Sequence, residues 1–211
     1  MIGSLSIVIS VFATLAIYFR LKNNSQLYAR FKPLTTIVII LLSIMITPDM
    51  ESGYGPMITM ALVFCLLGDV LLLKESYFVY GLAVFLIAHL LFVFAFSSLH
   101  GFQTNPYVMV ALLLVGGSYF SFLYSDLKAL AFPVLLYFMA IIVMDWQAIS
   151  LAIAYPQFSF FLIAIGAVLF TFSDAVIAYE KFKGGFIYSE AVILGSYWLA
   201  VFLICVGGLF F

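Results

Sequence analysis

Residues 77–97 read YFVYGLAVFLIAHLLFVFAFS, with no Lys, Arg, Asp or Glu and a single histidine, His89. As a helix rising 1.5 Å per residue, this stretch is about 31 Å long, the thickness of a bilayer's hydrocarbon core. Its backbone groups find no water at that depth, and a helix pairs them internally. Seven more runs of this kind flank it, at about 2–19, 33–48, 55–73, 106–124, 129–150, 157–178 and 187–210. The sequence therefore reads as an all-α integral membrane protein: eight transmembrane helices in one bundle, a single domain over residues 1–211 with no soluble domain.

Composition agrees. With 67% hydrophobic and 8% charged residues, against roughly 45–50% and 25% in soluble domains, the chain is no water-soluble globule. Eight Lys plus Arg against nine Asp plus Glu leave no basic excess for nucleic acid, so the partners are membrane lipids. Cys65 and Cys205 sit in apolar runs, where thiols pack as small hydrophobes and no disulfide framework arises. Met1-Ile2-Gly3-Ser4 carries no positive charge and no small-residue cleavage site follows the run from Ile7 to Phe19, so the first span reads as retained.

The remaining pieces read as turns: Arg20 to Lys32, Pro48 to Gly53, Lys74 to Ser76, His100 to Pro106, Ser125 to Lys128, Tyr155 to Gln157 and Glu180 to Gly185. Threading eight spans puts Arg20, Lys22, Arg30, Lys32, Lys74, Lys128, Lys181 and Lys183 on one side. The positive-inside rule makes that side cytoplasmic, with both termini facing away. The reading is a multi-pass protein, in a bacterium one of the inner membrane. A weak internal symmetry accompanies it: Gly68-Asp69 lies six residues before Glu75, Ser173-Asp174 six before Glu180, and Pro33 and Pro133 mark related places, which suits two parallel four-helix halves.

No turn explains Asp69, His89 and Asp174, while Asp145 and Glu190 lie nearer span ends. An ionised side chain at depth is costly, so such groups face a polar cavity or a partner, or stay neutral. Counting along the helices, Asp69 lies about 7 Å and Asp174 about 9 Å from the cytosolic boundary, a depth that permits pairing, and His89 about 18 Å. Each also has a bland reading: the two Asp residues as snorkelling or capping groups, His89 as a satisfied core imidazole, Asp145 beside Trp146 as an ordinary interfacial acid, Glu190 as a solvated one. The 24 Phe and 13 Tyr are mostly lipid-facing bulk, and Gly116-Gly117-Ser118 and Gly207-Gly208 suit close helix packing rather than a phosphate loop.

In the order and spacing of its motifs the chain resembles the YhhN-like lysoplasmalogenases, small eight-span membrane proteins. The resemblance covers most of the sequence: Lys32-Pro33-Leu34-Thr35-Thr36, then Gly68-Asp69 with Gly81, Phe85 and His89, then Phe172-Ser173-Asp174, and Ser196-Tyr197-Trp198-Leu199-Ala200. Val201 departs from it, standing where the pattern has Gln. The resemblance implies cleavage of the vinyl-ether bond of a lysophospholipid, the lysoplasmalogen, to a fatty aldehyde and glycerophosphoethanolamine or glycerophosphocholine. Protonation of the β-carbon creates an oxocarbenium ion that water captures, and two carboxyl groups suit the task, one neutral as proton donor and one anionic beside the cation, as in glycoside hydrolysis. Asp69 and Asp174 are the expected catalytic pair, with His89 polarising water or orienting an Asp. Tyr197 or Ser173 would donate a hydrogen bond to substrate, and Lys32, Arg30, Lys74 and Lys181 would hold the phosphate at the rim. No cofactor and no metal are expected. Two other classes compete: a metal-dependent lipid hydrolase with zinc on Asp69, His89 and Asp174, and a small proton- or cation-coupled transporter.

Overall fold

The computed structural model describes residues 2–47 and 53–210, the side chain of Phe210 excepted; Met1 and Pro48–Ser52 of the first expected outer turn lie outside them. Among the described residues the chain is all-helical: α1 (Ile2–Leu21), α2 (Ser25–Ile46), α3 (Tyr54–Leu71), α4 (Phe78–His100), α5 (Pro106–Leu127), α6 (Ala131–Ala154), α7 (Phe158–Lys183) and α8 (Ser189–Gly207). Seven stretches are long and apolar enough to cross a membrane, one of them the 49-residue Pro106–Ala154 stretch, in which a single 3-10 turn, Lys128–Leu130, separates α5 from α6.

The helices outrun the apolar runs at their charged ends. The side chain of Asn24 accepts from the Leu27 N–H and starts α2 eight residues before Pro33, so Pro33 lies inside the helix and Lys32 on its shaft rather than in a turn. Likewise α7 continues through Lys181 to Lys183. Polar residues end an apolar run without ending the backbone hydrogen-bond ladder, which stops only at a cap or breaker such as Gly184, at φ 98°.

Six helices, α2, α3, α4, α6, α7 and α8, make up most of the core, while α1 buries only Ile9 and Ala16, and α5 only Leu123 and Leu127. The tightest pairs are α3 with α4 and α7 with α8, and small residues set their spacing. A Cβ on Gly68 would lie 2.5 Å from the Phe85 ring, and one on Gly166 would lie 2.8 Å from the Ala200 carbonyl oxygen. Gly116 abuts Ile142, but Gly117 faces open space. The expected charged side is a physical end of the bundle: Arg20 pairs with Glu190, Lys181 with Glu75 at 2.7 Å, and Lys183 with Asp126. The Lys181 ammonium beside Glu75 holds that carboxyl below the usual glutamate range.

Gly166→Ala, which forces α7 from α8, should lower stability by about 1–3 kcal/mol. Gly117→Ala, which gains helix propensity in open space, should be neutral or raise it by up to about 1 kcal/mol. Thermal unfolding of both variants in the same micelles checks this, and equal shifts would contradict it.

Candidate active site

Two carboxylates anchor the buried polar interior. Asp69, in the last turn of α3, receives the Thr36 hydroxyl from α2 at 2.6 Å and the Tyr197 hydroxyl from α8 at 3.0 Å, both on Oδ2. Lys32 of α2 places Nζ 3.7 Å from Oδ1, and the Trp198 indole donates to Thr36 at 3.2 Å. Asp174 of α7 receives the Tyr137 hydroxyl from α6 at 2.7 Å, and His89 of α4 brings Nε2 to 3.2 Å of the same oxygen, Oδ2. His89 Nδ1 lies 2.7 Å from the Phe85 carbonyl, which can only accept, so Nδ1 carries a proton, and Nε2 makes no hydrogen bond among the described residues. The two clusters correspond when helices are counted off by four: α2, α3 and α8 around Asp69, and α6, α7 and α4 around Asp174.

Among the described residues the clusters share no hydrogen-bond partner. Aromatic rings stand between them: Tyr197 packs on Phe170 at 5.3 Å and on Phe85 at 6.0 Å, and Phe170 packs on His89 at 4.7 Å. Beyond this wall, on the Asp174 side, lies a cavity of about 280 Å³ between α4, α5, α6 and α7, at the small end of the roughly 300–1,000 Å³ of small-molecule sites. Its lining is apolar except for Asp174, Asp145, Tyr137, Thr171 and Tyr119. From the charged end, where Phe78 and Phe182 line it, it reaches inward to Asp145. Leu82 and Phe85 of α4 face Val115 and Tyr119 of α5 across it, although α4 and α5 do not pack substantially against each other.

The YhhN family's sequence model matches residues 27–208, a span that takes in both clusters and the cavity. The chain belongs to the YhhN family. Over 161 residues it is 31% identical to the lysoplasmalogenase TMEM86B of Homo sapiens, covering 75% of this chain and 66% of that protein. It is 32% identical over 154 residues to the lysoplasmalogenase TMEM86A of Bos taurus (70% of this chain, 62% of the relative), and 29% over 200 residues to a lysoplasmalogenase homolog of Dictyostelium discoideum (76% and 65%). The chain thus spans about two thirds of the length of these relatives, or less. No solved structure matches it.

Within this YhhN chain the structure joins His89 to Asp174, and Lys32 and Tyr197 to Asp69, but does not put the two Asp residues in contact. The depth gap expected for His89 closes because α7 runs on to Lys183: Asp174 stands nine residues from that end and His89 eleven from Phe78, about 14 and 16 Å. Lys32, expected at the rim, is 7% exposed and faces Asp69. Ser173 is no pocket donor, because its hydroxyl is spent on the Ile193 carbonyl of α8 at 2.9 Å. Asp145, read as an interfacial acid, is 2% exposed and lines the cavity, and Glu190 holds Arg20 rather than water alone. Asp69, His89 and Asp174 do not converge on one point, and among the described residues no three His, Cys, Asp or Glu side chains gather as metal ligands. Tyr137 and Thr171 carry no signal in the sequence, since hydroxyl residues are ordinary in spans, and Thr36 stands out only as the last residue of the Lys32–Thr36 motif.

Removing one partner from a buried ion pair strands the other charge. Lys32→Met should therefore destabilise the protein by about 3–5 kcal/mol, and adding Asp69→Asn should recover most of it. A double-mutant cycle by denaturant titration reads this, and additive losses would show that Lys32 and Asp69 are not coupled.

Proposed function

We propose that this chain hydrolyses the vinyl-ether bond of lysoplasmalogens, releasing a fatty aldehyde and glycerophosphoethanolamine or glycerophosphocholine. The observation that carries the reading is a lipid-like cavity with two carboxyls in its wall, one of them, Asp174, flanked by a phenol and an imidazole. The names of the relatives, all lysoplasmalogenases or their homologues, support it. The single chain enters between α4 and α5, its phosphate staying at the charged end near Lys74 and Lys181. That end faces the cytoplasm and the chain crosses eight times, with α5 and α6 as separate spans; a cysteine at Glu75 that labels only from outside the cell would reverse the orientation.

Asp174 is the anionic partner of the cation. The Tyr137 hydroxyl donates to it, and a fixed carboxylate in an apolar cavity stabilises an oxocarbenium ion far better than water does. The same carboxylate orients the attacking water. Asp69 acts through Tyr197: the Lys32–Asp69 pair fixes the Tyr197 ring, and with it the Phe85–Phe170 wall that shapes the cavity beside Asp174. The carboxyl groups of the cavity wall suffice for counter-charge and proton, so no metal is required.

Purified protein offered vinyl-ether, acyl and saturated alkyl-ether lysolipids of equal chain length should release aldehyde from the vinyl ether alone, in EDTA as well as without it. Asp174→Asn and Asp69→Asn should each lower turnover by about 10²-fold or more with unfolding still cooperative. Absence of aldehyde, or loss in EDTA that zinc restores, would overturn the reading.

A further inference from the structure

Vinyl-ether cleavage needs a proton donor that reaches carbon, and neither cluster supplies an obvious one. Asp69 is screened from the cavity by Tyr197, Phe85 and Phe170, and Asp174 is the acceptor of the Tyr137 hydroxyl with an imidazole beside it. The other carboxyl on the cavity wall is Asp145 of α6. It is buried to 2% exposure, and Thr171 of α7 donates to its Oδ2 at 2.8 Å. Its Oδ1 has no hydrogen-bond partner and the side chain makes no ion pair among the described residues. A buried carboxyl with one donor, one bare oxygen and no ion pair is less costly as the neutral acid than as the anion, with Thr171 holding the carbonyl-like oxygen and the bare one bearing a proton that no protein acceptor holds.

Its position along the cavity matches the order of atoms in the substrate. Thr171 lies three residues deeper than Asp174 along α7, about 4.5 Å and on the same face, so Asp145 stands roughly one turn further from the charged end than Asp174. A lysolipid entering with its phosphate at the charged end presents the ether oxygen first, then the carbon that becomes positive, then the carbon that must be protonated. We propose that Asp145 is the catalytic acid of this site, delivering its proton to the deeper vinyl carbon while Asp174 faces the shallower one. This rests on the lysoplasmalogenase reading above.

The step balances without any other reagent. The π pair of the double bond takes the Asp145 proton to form the new C–H bond, and an oxygen lone pair completes the oxocarbenium ion. Water then adds to the cationic carbon, its surplus proton passing to the carboxylate left on Asp145, which restores the acid. The hemiacetal so formed collapses to aldehyde and the free glycerol hydroxyl.

Asp145→Asn keeps the acceptor for Thr171 but has no proton to give. It should lower kcat on the vinyl-ether lysolipid by about 10²-fold or more, while binding of the saturated alkyl-ether analogue stays within about threefold of wild type. Asp145→Glu should recover part of the rate. Thr171→Val, which leaves the acid but not its orientation, should lower kcat several-fold with KM unchanged; it decides the matter if Asp145→Asn does not fold, an unchanged kcat then overturning the assignment. An Asp145→Asn enzyme within tenfold of wild-type turnover would overturn this assignment alone, whereas a wild type that releases no aldehyde would overturn the activity and the assignment together.

Discussion

An ionisable side chain in hydrocarbon must bring its own solvent, and that constraint arranges the middle of this bundle. A charged Asp at a helix centre costs about 2.5–3.5 kcal/mol on insertion scales, and a hydrogen bond to a charged group returns about 1.5–3 kcal/mol. Two good donors therefore bring a buried carboxylate to balance. Asp69 draws its two donors from α2 and α8, and Asp174 takes the phenol of α6, with the imidazole of α4 standing beside it. Each carboxylate thus ties three helices together, and the two sets of three comprise the six helices of the core. Helices α1 and α5, which contribute to neither, are the two that bury least.

The polar groups are divided in a way that suits chemistry on a lipid. One side of the Phe85, Phe170 and Tyr197 wall is saturated by an ion pair, two hydroxyl donors and an indole. The other side opens on an apolar space where Asp174 and Asp145 differ in what surrounds them, a phenol and an imidazole for one and a lone threonine for the other. Carboxyls in unlike settings on one cavity are the arrangement that lets one stay anionic while the other holds a proton. Poorly buried α5 forms the remaining wall of that space.

The helical membrane fold was legible from run length and hydropathy, because nothing but a paired backbone survives in oil. Asp69, His89 and Asp174 were legible for the same reason: a charge or imidazole in an apolar run stands out on a one-dimensional scan. What failed was reckoning from the ends of apolar runs. Pro33 reads as a helix start and so leaves Lys32 in a turn, and a seventh span ended at its charged residues sets His89 too deep relative to Asp174, because α7 continues to Lys183. Asp145 was discounted because it stands beside Trp146, whose indole does meet the α4–α5 turn by donating to the Asn105 carbonyl. Which face of α6 the acid occupies depends on α7 presenting Thr171 to it, and no pattern within α6 encodes that. Ser173 shows the converse, a motif neighbour of Asp174 whose hydroxyl serves the packing of α7 on α8.

The proposed cleavage begins with protonation at carbon inside an apolar cavity, and isotopes report that directly. Turnover of a vinyl-ether lysolipid in D₂O, with the aldehyde trapped as it forms, should place one deuterium on the carbon next to the carbonyl. Turnover in ¹⁸O-labelled water should leave the glycerol hydroxyl unlabelled. An aldehyde without that deuterium, or ¹⁸O in the glycerol product, would mean that the bond breaks by another route and would contradict the mechanism.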